Sequence, residues 1–168
     1  MAGGIFTRQG VKHMAVILKQ QEVEILRKSL GQKKIVLAGG CFDILHKGHI
    51  AFLNAAKSHG DILIVLLESD AFISQKKGKR RPFHTQKIRA AILSSLRSVE
   101  YIILLDKMLQ DYEYDRLVVL LKPAIIATTK DDPYKRHKER QAKLLNATVR
   151  EVIETLPTQS TSTLGKHL

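Results

Sequence analysis

Two histidines three residues apart, His46 and His49, bracket Lys47-Gly48 in the stretch "VLAGGCFDILHKGHIAFLNAAK", Val36 to Lys57. Imidazoles donate or accept hydrogen bonds near neutral pH, so a pair of them beside a lysine suits an anion. The same spacing serves a metal-binding pair or two polar residues capping a helix, and the residues alone leave these readings open. The surrounding order favours the anion. An apolar run, the Gly39-Gly40 pair, Phe42-Asp43, then H-x-G-H and an amphipathic segment give each residue a mechanical role. If the run is a strand and a helix starts near Gly48, both rings stand at a helix N-terminus, where unpaired N–H groups and the dipole favour phosphate. Gly39, Gly40 and Gly48 then let the backbone turn and approach a ligand closely. The rings donate to phosphate oxygens and stabilise charge that grows during reaction.

Such a site needs a strand to carry the loop and a helix to follow it, and the rest of the chain repeats that alternation. Lys34–Gly39, Asp61–Ser69, Tyr101–Asp106, Ala124–Thr129 and Val149–Glu154 are strand-length runs of Ile, Val and Leu, as in a parallel sheet buried on both faces. Gly48–Gly60, His84–Val99, Tyr114–Lys122 and Asp132–Asn146 carry helical periodicity, as does Lys19–Leu30, which Gly31 closes. The pattern predicts a single α/β domain: a Rossmann-like open parallel sheet of about five strands with flanking helices, with ligands at the strands' carboxyl ends. Residues 1–16 are expected to be an N-terminal extension, partly foreign to the natural chain, with Met14 a candidate start, and 17–168 the domain itself.

Composition narrows the partners. A net charge of +12, from 28 Lys and Arg against 16 Asp and Glu, makes the surface attractive to nucleic acid, phosphorylated metabolites or acidic lipids. Two basic runs concentrate it, Lys76–Arg81 and Lys135–Arg140, the second reading as the solvated face of a helix. With 5% aromatic residues the chain has few platforms for base stacking, which speaks against nucleic acid. Ile62–Leu67, the longest apolar run, is too short for a membrane helix, and no membrane insertion is expected. The first residues lack the apolar core of a secretory signal, so a cytoplasmic protein is expected. The single cysteine, Cys41, excludes an internal disulfide and a four-cysteine zinc site, and reads as a small buried residue.

"GGCFDILHKGH", Gly39 to His49, resembles the G-x-F-D-x-x-H-x-G-H signature of the cytidylyltransferase-like nucleotidyltransferases. The likeness is greatest to the adenylyltransferase domain of ADP-heptose synthesis enzymes, then to glycerol-3-phosphate cytidylyltransferase, and covers about Ile17 to Leu164. Class I aminoacyl-tRNA synthetases share an H-I-G-H element but need a longer chain. Glu68–Asp70, "ESD", resembles the family's N-S-D stretch, and Lys77–Pro82, "KGKRRP", its K-G-x-x-R-P. Arg89 matches the arginine of its E-Q-R or E-R-A helix, and Ser160–Leu164, "STSTL", its C-terminal S-T-T/S-x-I/L element. The resemblance implies His46, His49 and Lys77 as catalytic residues. It implies Gly40, Cys41, Phe42, Asp43, Gly48, Arg81, Arg89, Asp131, Ser160, Thr161 and Ser162 as nucleotide-binding ones, with hydroxyls and amides of the last three at a helix start. Read from the residues alone, the lysine and arginine loop is also an exposed basic loop, the serines also a plain helix cap, and Asp43 equally a structural hydrogen-bonding group.

The implied reaction is transfer of a nucleoside monophosphate: a substrate phosphate attacks the α-phosphorus of a nucleoside triphosphate and pyrophosphate leaves. Mg2+ accompanies the triphosphate, held mostly by phosphate oxygens and water, and a homodimer is implied. No protein ligand to a metal is assigned. Two departures bear on substrate. "TTKDDPY", Thr128 to Tyr134, stands where heptose-phosphate enzymes have K-G-G-D-Y and lies nearer the G-D-D-W of the glycerol-phosphate branch. "LPTQSTS", Leu156 to Ser162, lacks the R-T-x-G-I of the cytidylyltransferases, which favours ATP over CTP. The expected acceptor is a small phosphorylated sugar or polyol. FAD synthase or a pantetheine-phosphate-type adenylyltransferase is the alternative enzyme, and a basic nucleic-acid-binding module with a vestigial nucleotide pocket the alternative of another class.

Overall fold

The computed structural model describes residues 14–108 and 110–153. Six strands, β1 (Val16–Lys19), β2 (Ile35–Gly40), β3 (Ile62–Leu67), β4 (Tyr101–Leu104), β5 (Ile125–Thr129) and β6 (Thr148–Ile153), form one parallel sheet in the order β1-β4-β3-β2-β5-β6. Helices α1 (Val23–Ser29), α2 (Lys47–Lys57), α3 (Asp70–Lys77), α4 (Gln86–Ser94), α5 (Asp111–Leu121) and α6 (Lys135–Lys143) complete a Rossmann-like α/β domain.

The apolar runs are continuous because both faces of the sheet are covered. Every residue of β3 is buried. Val36, Ala38, Leu63, Val65 and Leu67 pack with Phe52, Leu53 and Ala56 of α2 and Ala90 and Leu93 of α4. Their alternates Ile35, Leu37, Ile62, Ile64 and Leu66 pack with Val23 and Leu26 of α1, Leu117, Val118 and Leu121 of α5, and Ala142 of α6. This strict alternation is the two-residue strand period read on both faces.

The sheet has one strand more than the sequence pattern predicts. Val16–Lys19 pairs with Tyr101–Leu104 at an edge, and buried Ala15 donates its N–H to the Ser94 carbonyl. Packing therefore begins inside the stretch expected to be an extension. Four residues, three of them exposed, carry no readable period. The helix expected over Lys19–Leu30 is shortened for the same reason, a 3-10 turn at Gln20–Glu22 separating β1 from α1. α3 was not expected either; the Ser69 hydroxyl accepts from Phe72 N–H at its start, while only Ile73 is buried within it.

β2 pairs with β3 over six residues but with β5 over two, Val36 with Ile125 and Leu37 with Ile126. The chain passes from β2 outward through β3 to β4 and then returns across them to β5, so the strand order reverses between β2 and β5. An open α/β sheet binds its ligands at that reversal, beyond the strands' carboxyl ends.

Candidate active site

α2 starts where the sequence places it. His46 is its N-cap in extended conformation, and its Nδ1 accepts from Gly48 N–H at 3.1 Å. That bond puts the proton of the neutral ring on Nε2. His49, one turn on, stacks on His46 with ring centroids 3.8 Å apart, and tilts against Phe42 at 5.2 Å. Burial, then the charges of His46 and Lys77, lowers the His49 pKa to about 4 against an opposing Ile44 backbone contact, and burial lowers His46 too. At pH 7 both rings are thus neutral N–H donors, and positive charge here comes from Lys77.

The preceding loop is shaped by Phe42, which is buried and holds a left-handed backbone at φ 44°. A Cβ on Gly40 would stand 2.9 Å from that ring, which is why glycine occupies the position. Asp43, 1% exposed, accepts from Phe83 N–H at 2.8 Å and His84 N–H at 3.1 Å and pairs with Arg81 Nε at 2.8 Å. Arg81 also lies over the Phe83 ring. Asp43 and Arg81 therefore fasten the basic loop to the start of α2.

Arg89, equally buried, donates to the carbonyls of Cys41, His84 and Glu68 and to the Asp70 carboxylate. It ties the ends of β2 and β3 to the loop before α4.

A cleft of about 480 Å³ opens at the strand reversal. Leu37, Leu66, Ile126 and Met108 make its apolar floor. Of the expected site residues, Gly40, Cys41, Phe42, His49 and Lys77 line it. His46 stacks behind His49, while Asp43, Gly48, Arg81 and Arg89 support the wall. Asp131 sits in the exposed turn after β5, and its neighbour Asp132 is the one in the cleft. Ser160, Thr161 and Ser162 lie outside the described residues. Among the described residues no cluster of three His, Cys, Asp or Glu side chains is arranged to hold a metal ion.

On the opposite wall the sequence offers the family-like stretches Glu68–Asp70 and Thr128–Tyr134, but neither Tyr114 nor Lys138. Tyr114 of α5 sets its hydroxyl 3.0 and 3.2 Å from the Glu68 carboxyl oxygens. Burial pushes Glu68 up to about 7, against the pull of the Tyr114 hydrogen bond and Arg89, and burial together with Glu68 raises Tyr114. Burial likewise raises Cys41, with Lys77 opposing. Lys138 of α6 binds Asp132 at 2.6 Å and Thr128 at 3.3 Å. Burial would raise Asp132, but Lys138 and the Thr128 hydroxyl hold it below the usual carboxylate range. Glu68 had two signals in the sequence, its place directly after β3, where such sheets bind ligands, and its position at the head of the family-like E-S-D stretch. Tyr114 had only its helical register with Leu117, Val118 and Leu121.

A parallel sheet with a helix-capping histidine pair beside a cleft at its strand reversal defines a Rossmann-like domain of the nucleotidyltransferase type. The chain belongs to the cytidylyltransferase-like family, whose model matches residues 37–164. It is 41% identical over 129 residues to the bifunctional protein HldE of Helicobacter pylori (strain ATCC 700392 / 26695), covering 72% of this chain and 26% of the relative. It is 43% identical over 110 residues to that of Helicobacter hepaticus (strain ATCC 51449 / 3B1), covering 66% and 22%. The chain thus spans about a quarter of these relatives' length. The lipopolysaccharide core biosynthesis protein of Thermoplasma volcanium GSS1 superposes with a TM-score of 0.58 at 29% identity, covering 73% of this chain and 97% of that one. Pantoate-beta-alanine ligase of Francisella tularensis shares the fold with a TM-score of 0.64 at 18% identity, covering 92% and 73%.

Proposed function

We propose that this domain transfers a nucleoside monophosphate, from ATP in preference to CTP, to a small phosphorylated sugar or polyol. The supporting observation is the stacked His46–His49 pair at the start of α2, of which His49 lines the cleft at the strand reversal together with Lys77. An oxygen of the acceptor substrate's phosphate bonds to the α-phosphorus of the magnesium–triphosphate complex. The bond from that phosphorus to the bridging oxygen breaks, and pyrophosphate leaves with the electron pair. The protein aligns the two phosphates and neutralises developing charge, His46 Nε2–H and His49 as donors and Lys77 as the cation. Ser160, Thr161 and Ser162 take the β- and γ-phosphates in this reading, and Asp43, Arg81 and Arg89 act by holding the loops in place. Preference for ATP rests on the sequence before those serines, the acceptor class on the likeness to the HldE proteins. The reading includes a cytoplasmic setting, where nucleoside triphosphates are abundant, and a homodimer.

Pyrophosphate release from ATP or CTP with a heptose 1-phosphate, glycerol 3-phosphate, FMN or phosphopantetheine tests it. Turnover with ATP and one of the first two phosphates is expected. FMN or phosphopantetheine as the sole acceptor would move the assignment to the corresponding adenylyltransferase, and silence with every pair would overturn it.

A further inference from the structure

Glu68 sits at the mouth of a cleft built for polyanions, where a carboxylate is the wrong charge. Its side chain, directly after β3, meets among the described residues one hydrogen-bonding side chain, the Tyr114 hydroxyl at 3.0 and 3.2 Å, and lines the cleft with it. Other charged or titratable groups around the cleft are Arg89 from α4, Cys41 after β2, Lys76 and Lys77 from α3, His49 from α2, the Asp111–His137 pair of α5 and α6, Tyr134, and the Asp132–Lys138 pair across the cleft. Arg89 has its guanidinium engaged with carbonyls and Asp70, and Lys138 is neutralised by Asp132. Neither offers Glu68 a salt bridge. Beneath lies the carbon floor of Leu37, Leu66, Ile126 and Met108.

We infer that the Glu68–Tyr114 pair is the specificity-determining contact for the hydroxyl-bearing carbon chain of the acceptor substrate. The inference rests on the transfer reaction proposed above. A carboxyl whose proton is half lost near pH 7 in the empty cleft is driven further towards its neutral form when phosphates enter, because like charge disfavours ionisation. A neutral carboxyl beside a phenol offers donors and acceptors together, matching a hydroxyl that also does both. The apolar floor takes the C–H faces of the same chain. Small phosphates without hydroxyls leave this pair unmatched and are disfavoured.

The test is steady-state kinetics with ATP, using a heptose 1-phosphate, glycerol 3-phosphate and propyl phosphate from pH 6 to 8.5. Wild-type protein should show an acceptor KM that rises about tenfold across that range, as Glu68 ionises beside the phosphates. Glu68→Gln, which mimics the neutral acid, should keep the low-pH KM within about threefold and lose most of that rise; since the phosphate's own ionisation persists in this variant, it serves as the control. Glu68→Ala and Tyr114→Phe should raise the KM for the hydroxylated phosphates at least tenfold with the KM for ATP nearly unmoved, and Glu68→Ala should lower the KM for propyl phosphate, whose entry then strands no buried carboxyl. A KM for ATP that shifts instead, an acceptor KM indifferent to Glu68, or a pH rise retained in full by Glu68→Gln overturns the inference while the transfer reaction stands. No turnover by wild-type protein removes the transfer reaction and this inference with it.

Discussion

A neutral imidazole is a better partner for a transferring phosphate than its rarity as a charge carrier would imply, since it donates without attracting a counter-ion of its own. His49, held to about 4, keeps that state throughout the physiological range. His49→Ala should lower turnover by about two to three orders of magnitude while the melting temperature stays within a few degrees. An unchanged rate removes the residue from the site. Two groups give stability an opposed pH dependence. His49 binds its proton more weakly folded than unfolded, so its effect destabilises the fold as pH falls from 6.5 towards 4. Glu68, raised from 4.5 to about 7, does the reverse: its contribution is complete below pH 4.5 and is lost as pH climbs through 7. Glu68→Gln should therefore gain on wild-type protein between pH 5 and 8 by no more than about 3 kcal/mol, read from urea melts at each pH. A constant difference would mean that Glu68 is not buried as described. At this scale the histidines were legible because glycine and helix-start signals surround them. The pairing of Glu68 with Tyr114 was not, because 46 residues separate them and only the return of the chain towards β5 brings them together.

The elements carrying these side chains are joined by single buried groups. Arg89 binds three carbonyls and Asp70 from a position 1% exposed. Replacing it with Leu leaves those acceptors buried and unmatched, and should cost about 3–5 kcal/mol of stability by chemical denaturation. Arg89→Lys keeps the charge but loses the forked geometry, and should recover only part. Gly60 has a different duty: a Cβ there would fall 2.7 Å from the Lys34 carbonyl oxygen and 2.7 Å from Val36 Cγ2. Gly60→Ala should cost about 1–3 kcal/mol and leave the KM for ATP unaltered. The other five strands could be read from their Ile, Val and Leu runs, most plainly β2 and β3, where both faces are covered. β1 and α3 could not, since each buries too few residues to print a period on the sequence.

For the whole molecule, the net charge of +12 suits the polyanionic substrates of the proposed reaction. Electrostatic attraction over the surface raises their local concentration and is screened by salt. The KM for ATP should rise about three- to tenfold between 50 and 500 mM sodium chloride, with kcat changing less; an insensitive KM would show that the charge is not arranged around the cleft. The α/β architecture followed from the alternation of runs, whereas the strand order did not, because neighbour choice depends on contacts between segments far apart. Among the described residues β1 has β4 as its sheet partner. On a ribosome, Val16–Lys19 emerges long before Tyr101–Leu104 has been translated. For that interval the Val, Ile and Leu of this segment have no strand to pair with, and the edge they will form stays incomplete until the fourth strand arrives.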